Sequence, residues 1–246
     1  MPNRTRVLLA TGLVVAVAAG AAGVALWNHG FFYRPDPTRY PSLGIDVSHH
    51  QGRIDWAQVP RDGVSFAYVK ATEGSDFKDP RFLENWRGAR AAGLLVGAYH
   101  FFSFCSPGAA QAEHFLSTLP AGDEALPPVL DLELGGSCRP LPGKDEVRGE
   151  VLAWLDVVGK RTGRTPVLYV TDEAFDTFLE RGDIDSIAGT GPLLWCRSLF
   201  DEPRLPWPVN WTFWQYHARG RVSGIDGPVD LDVFEGNPDQ LRRLIR

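Results

Sequence analysis

From Leu43 to the C-terminus, short apolar runs alternate with stretches of helical period, and this alternation limits the possible folds more than any other feature of the chain. Strands are expected at 43–47, 64–71, 94–102, 127–133, 166–171, 193–197, 211–216 and 229–233. Helices are expected at 55–60, 80–92, 107–118, 145–162 and 172–181. The clearest is 145–162, where Val147, Val151, Leu152, Trp154, Leu155 and Val158 recur near a period of 3.6. Strands that alternate with helices imply parallel pairing through right-handed crossovers. Eight of them predict an α/β fold, an irregular TIM-like (β/α) barrel whose last third is poor in helix. An open doubly wound sheet is the alternative.

The N-terminus stands apart. Residues 7–27, VLLATGLVVAVAAGAAGVALW, hold no charge in 21 positions and follow Arg4 and Arg6. As one helix this run would be about 31 Å long, enough to cross a bilayer. The positive start keeps the N-terminus in the cytoplasm. A signal-anchor over 1–27 is expected, one N-terminal transmembrane helix. A cleaved signal peptide is the alternative. Either places the rest outside the cytoplasm, membrane-anchored or secreted. Residues 28–42 carry three prolines and read as an extended linker, leaving 43–246 as the folded domain.

Charge narrows the partners. The net charge is −5, while residues 1–42 hold four Arg and one Asp, or +3, so the remainder stands at −8 (−5 − 3). A nucleic-acid partner would call for a basic stripe, which is lacking. Cys105 and Cys138 each follow an expected strand, and an oxidising compartment permits a disulfide between them. Two free thiols are the alternative. Cys196, inside LLWCRS, reads as a small buried residue. No cysteine pattern suggests structural zinc.

The acidic residues are oddly placed. In VLDLE (129–133), Asp131 and Glu133 interrupt an apolar strand two positions apart, so both point to one face. In β/α barrels the working groups sit at the C-terminal ends of strands. There the chain sets Asp46 before Ser48, His49 and His50. It also sets Lys70 with Glu73, Tyr99 with His100, the Asp131–Glu133 pair, Gln215 between Trp214 and Tyr216, and Asp230 with Asp232. A turn cap explains a single Asp but not a same-face pair, which repels. Paired carboxyls suit glycosidic cleavage, where an acid must protonate the leaving oxygen. Apolar surroundings and a charged neighbour keep such an acid protonated. Glu133, with the longer arm, is the expected acid; Asp131, deeper, is expected to stay ionised. Trp195, Trp207, Trp211 and Trp214 fall within 20 residues and offer flat faces to sugar rings, or simply pack the barrel.

Six segments in order carry a resemblance: GIDVSHHQGRIDW (44–56), FAYVKATEG (66–74), GAYHFF (97–102), VLDLE (129–133), WTFWQY (211–216) and GIDGPVDLDVFEG (224–236). On these, residues 43–236 resemble the family 25 glycoside hydrolases, the lysozymes or N-acetylmuramidases of the Chalaropsis type. The resemblance implies a modified β/α barrel that hydrolyses the β-1,4 bond after N-acetylmuramic acid in peptidoglycan, without a cofactor. By position, Glu133 matches the general acid and Asp131 its partner. Asp46 and Asp230 match two further acids lining the site, and Tyr99 an aromatic on its wall. Tyr169, Trp195, Trp214, Gln215 and Tyr216 are the other expected substrate contacts. Family members are generally viewed as retaining. Either a carboxylate attacks the sugar, or its own acetamido oxygen does so with Asp131 steadying it; we favour the second. Asp232 stands where Asn is usual.

Two other classes compete. A zinc-dependent carbohydrate deacetylase could use Asp46, His49, His50, Asp131 and Asp230, although adjacent histidines on an extended segment diverge. His49 and His50 are instead expected to hydrogen-bond within their loop, and Lys70 with Glu73 to form a structural pair. The other rival is a non-catalytic wall-binding barrel, which would have no need of a strained acid pair. Nothing in the sequence calls for more than a monomer.

Overall fold

The computed structural model describes residues 15–24, 34–122, 124–136, 138–179, 193–203 and 210–245. Its strands are β1 (Leu43–Val47), β2 (Val64–Glu73), β3 (Phe77–Lys78), β4 (Leu95–Phe101), β5 (Val129–Leu132), β6 (Val167–Val170), β7 (Leu193–Arg197), β8 (Phe213–Gly220) and β9 (Val229–Phe234). The helices are α1 (15–24), α2 (Phe82–Ala91), α3 (Gly108–Thr118), α4 (Lys144–Thr162), α5 (Asp172–Phe178) and α6 (Pro238–Arg243). The expected strands all form. Two short elements, β3 and α6, lack a readable period.

The sheet closes into an eight-stranded barrel, with β3 a small flap on the end of β2. Pairing is parallel from β1 through β2, β4, β5, β6 and β7 to β8. It is antiparallel where β9 meets β8 and β1. The expectation of parallel strands throughout fails there because only residues 221–228 join β8 to β9. A parallel return needs about a dozen residues or more. Residues 55–60 form turns and part of a 3-10 turn, Val59–Asp62, rather than an α-helix. Pro60 has no N–H to extend it, and Gly63, at φ 81°, ends it in a left-handed turn.

Alternation along each strand separates two apolar clusters. Phe66, Tyr68, Val129, Val167, Tyr169, Trp195, Phe213 and Phe234 fill the barrel. Their neighbours in sequence, such as Ala67, Val69, Leu130, Leu168, Leu194 and Trp214, face outward into the second cluster. Both faces are buried, so the strands read as apolar runs. Large rings fit inside because glycines stand opposite. A Cβ on Gly44 would lie 2.1 Å from the Phe66 ring, and one on Gly97 2.1 Å from the Tyr68 ring. At the end opposite the mouth, α6 brings Leu241 against the inner cluster.

The outer side also holds a polar node. His100 is fully buried, its Nδ1 2.7 Å from Thr72 Oγ1 and its Nε2 3.0 Å from Gln111 Oε1. Burial pushes this imidazole down to about 3, so it is neutral. Gln111 also accepts from the Ser103 N–H and donates to the carbonyls of Ser103 and Ser106, tying α3 to the loop after β4. That loop is bonded covalently by Cys105 to Cys138. Cys196 is buried and free, its thiol pushed up to about 12 by burial.

The stretch expected as a linker is partly folded. Tyr40 is buried, donates to Glu202 Oε1 at 2.8 Å, and packs on Trp211 and Trp214. Arg39 grips the same carboxylate with both terminal nitrogens at 2.8 Å. Of the apolar run 7–27, residues 15–24 form α1, which is exposed; the remainder lies outside the described residues. The expectation of a transmembrane helix finds no support here: no helix among the described residues is long and apolar enough to cross a membrane.

Candidate active site

The parity that sends Ile45 and Val47 outward turns Asp46 inward at the end of β1. On β5, Leu130 and Leu132 face out while Val129 and Asp131 face in, and Glu133, one residue past the strand, keeps the inward side. On β9, Asp230 pairs with Asp46 and Asp232 with Gly44 across the antiparallel ladder. Asp46, Asp131, Glu133 and Asp230 thereby line one pocket of about 500 Å³ at the barrel mouth. Tyr99, Tyr169, Trp195 and Gln215 line it too, as expected.

Two expected contacts do not reach it. Trp214 and Tyr216 lie on the outer face of β8, the opposite parity from Gln215. Trp214 donates to the Ser198 carbonyl at 2.7 Å and packs against Tyr40, Trp211 and Tyr216. This aromatic group covers the barrel where the last third lacks helices. Trp195 belongs to the floor rather than to an open stacking face. It is 2% exposed, with ring centroids 4.9 Å from Tyr68, 5.2 Å from Tyr169 and 5.8 Å from Phe213. Trp211 packs outside with Trp214, and Trp207 lies outside the described residues.

A directed hydrogen-bond chain fixes the floor. Tyr169 Oη donates to Gln215 Oε1 at 3.0 Å, which turns the amide so that Nε2 donates to Asp46 Oδ2 at 2.8 Å. Trp195 Nε1 donates to Asp232 Oδ1 at 3.1 Å. Asp131 Oδ1 is buried with no partner among the described residues.

So many buried carboxyls cannot all be charged. Burial, opposed by the Gln215 bond and assisted by the Glu133 charge, pushes Asp46 up to about 7. Burial and then the Asp46 and Glu133 charges push Asp230 up to about 9. Asp131 is raised well above the ordinary range, by burial first and then by Glu133 and Asp46. Burial and these neighbouring carboxylates therefore oppose the ionised Asp131 expected from the sequence.

Some lining residues carried only a weak signal. Arg197 and Phe101 each lie two positions beyond an expected contact, Trp195 and Tyr99, and share their strand face. Lys70 is buried, bonds Glu73 Oε2 at 2.7 Å and sits 4.6 Å from the Phe101 ring centroid, so the expected structural pair forms part of the pocket wall. The loop bonds expected of the two histidines form at their backbones, where the His49 carbonyl accepts from the Gly52 N–H at 3.0 Å and the His50 N–H donates to Ser48 Oγ at 3.2 Å, but the His49 side chain leaves the loop. The His49 backbone N–H and Nδ1 both meet Asp79 Oδ2, at 2.9 and 2.8 Å, which leaves His50 alone at the pocket.

Known proteins resemble this chain in sequence and fold. Residues 45–225 match the family described as glycosyl hydrolases family 25. Lysozyme M1 of Streptomyces globisporus is 39% identical over 210 aligned positions, covering 82% of this chain and 70% of the relative. The N,O-diacetylmuramidase of Chalaropsis sp is 31% identical over 205, covering 76% and 95%. The solved structure of a family 25 glycosyl hydrolase from Bacillus anthracis superposes with a TM-score of 0.77 at 38% identity, covering 86% of this chain and 96% of that one. The barrel with its one antiparallel strand, the acid-lined mouth and these likenesses lead to one conclusion: the chain belongs to glycosyl hydrolase family 25.

Proposed function

We propose that this protein is a muramidase, hydrolysing the β-1,4 bond between N-acetylmuramic acid and N-acetylglucosamine in peptidoglycan. The observation that carries this reading is the convergence of Asp46, Asp131, Glu133 and Asp230 on one open pocket. Glu133, the carboxyl beyond the strand end, protonates the glycosidic oxygen. Burial and the neighbouring carboxylates favour a proton on Asp131; with the glycan bound, Asp131 is ionised and Glu133 carries the proton to be given up. Asp131 then accepts the acetamido N–H of the muramic acid ring. The acetamido oxygen attacks the anomeric carbon, the glycosidic C–O bond breaks, and an oxazolinium forms. Water opens that ring, giving its proton to Glu133, so the configuration is retained. Asp46 and Asp230 supply negative charge around the developing cation. Tyr99, Tyr169, Trp195 and Gln215 shape the wall and floor.

A zinc deacetylase reading loses support because His49 is committed to Asp79. We also propose that residues 7–27 hold the domain at a membrane, with 43–246 as the catalytic domain on its outer side. Resistance of the full chain to alkaline extraction from membranes would support this, and release into the supernatant would refute it.

The full chain is to be incubated with intact peptidoglycan and the new reducing ends identified by mass spectrometry. Reducing N-acetylmuramic acid is the expected product. Reducing N-acetylglucosamine would move the cleaved bond, acetyl loss without chain cleavage would indicate a deacetylase, and no product would leave a wall-binding module. Glu133→Gln should lower turnover by about 10²–10⁴-fold with its melting temperature kept, as expected for loss of a general acid.

A further inference from the structure

We propose that Asp232 is a positioning residue that carries a proton on Oδ2 and donates it in a hydrogen bond to Asp46, so that the Asp46 carboxyl takes two donors in the mouth. The inference rests on the glycosidase reading above and adds a residue to it.

The argument starts from donors. An indole N–H can only donate, so the Asp232 oxygen that meets Trp195 Nε1 is an acceptor. The other oxygen, Oδ2, is buried and meets no N–H or O–H donor among the described residues. Asp232 is 0% exposed, and an orphaned buried charge there would be very costly. Yet its carboxyl is in hydrogen-bond contact with that of Asp46. The backbone makes this contact natural. Asp232 pairs with Gly44, and Asp46 is the diagonal neighbour two residues along β1 on the same face. Two carboxyls can share a hydrogen bond only if one keeps its proton. Gln215 Nε2 already donates to Asp46, so Asp46 is the acceptor on both sides and Asp232 is the acid.

The surroundings agree. Burial raises Asp232 first, then the charges of Asp46 and Asp230, while Trp195 works in the opposite direction. Tyr68 from β2 and Tyr216 from β8 also feel the Asp232 charge, and neither supplies a cation. Arg197 on β7 favours the ionised forms of Asp46 and Asp230. The proton therefore settles on the carboxyl farthest from cationic help. Two chains of donors then meet on Asp46, one from Tyr169 through Gln215 and one from Trp195 through Asp232. Once ionised, Asp46 disfavours ionisation of Asp131 and favours positive charge on the sugar. An asparagine, usual at this position in the family, would place a carbonyl toward Trp195 and an N–H toward Asp46, the same pattern without a titrating group.

The test compares the full-length chain with Asp232→Asn and Asp232→Leu. Infrared spectra in heavy water near neutral pH should show a protonated-carboxyl C=O band that is reduced in Asp232→Asn. Turnover of Asp232→Asn should stay within about threefold of the parent, with less loss at alkaline pH, whereas Asp232→Leu should lower kcat about ten- to a hundredfold with KM little changed, as for loss of a hydrogen bond to a charged group. An unchanged carboxyl band in Asp232→Asn, or an Asp232→Asn protein as inactive as Asp232→Leu, overturns the proposal. If Asp232→Leu does not fold, the infrared comparison still decides. If the parent releases no muropeptide, the muramidase reading fails while the band continues to report the proton.

Discussion

Asp46 invites a prediction in which function and stability oppose each other. Its carboxyl stands at about 7 in the folded protein against an ordinary 3.8. Each tenfold step in proton affinity corresponds to ~1.4 kcal/mol, so the interval corresponds to about 4 kcal/mol. Water in the pocket screens part of it, and about 2–4 kcal/mol is expected. Below 3.8 the group is neutral in folded and unfolded chains, and its contribution to stability is fully present. As pH rises toward about 7, the unfolded chain ionises while the folded one keeps its proton, and that contribution is lost. Asp46→Asn does not titrate, and its carbonyl can still accept from Gln215. The two proteins should therefore unfold within about 1 kcal/mol of each other near pH 4. Near pH 8 the variant should be the more stable by about 2–4 kcal/mol, although its turnover is lost. Urea titration followed by fluorescence of the eight tryptophans at a series of pH values measures this. A difference that does not grow with pH, or a variant that is weaker at every pH, would refute the reasoning.

Other consequences follow from single contacts. Tyr169→Phe removes the donor that orients Gln215, so kcat should fall about tenfold at unchanged melting temperature, a KM-against-kcat comparison being the check. Gln111→Ala removes the partner of His100 Nε2 and of the Ser103 N–H and carbonyl and should cost about 3 kcal/mol in urea unfolding, while activity per folded molecule is kept. Replacing Cys105 and Cys138 by Ser opens a loop with a sequence separation of 33 and should lower stability by about 3–4 kcal/mol, read as a shift in the urea midpoint.

The barrel was legible because its strands are buried on both faces and its helices are long enough to establish a period. Strand direction was not. Nothing in VDLDVF says whether β9 runs up or down; the length of the connection before it does, and eight residues without a helical pattern can only turn back. The helix expected at 55–60 failed for a local reason that the sequence did contain, Pro60 followed by Gly63. In the linker, Tyr40 is fixed by Glu202, 162 residues away, a contact no local pattern can announce.

Parity decides how far the site could be read. Asp131 and Glu133, like Asp230 and Asp232, are two apart, so each pair declares one face once the barrel is assumed. WTFWQY declares nothing by itself, since both of its parities carry aromatics. Only the pairing of Gln215 with Asp232 and Arg197 fixes Gln215 as the inward residue and sends Trp214 and Tyr216 out to cover the barrel. The protonation order was further from reach. Sequence argues that the longer arm should hold the proton, whereas burial and the neighbouring carboxylates raise the proton affinity of Asp131. Asp131 and Asp232 each have a buried oxygen that meets no donor among the described residues. The mouth therefore gathers acids whose burial and mutual charge raise their proton affinities to different extents. Among them Asp46, taking two donors, is raised less than Asp230 beside it, and Glu133, beyond the strand end, is the carboxyl placed to meet the glycosidic oxygen.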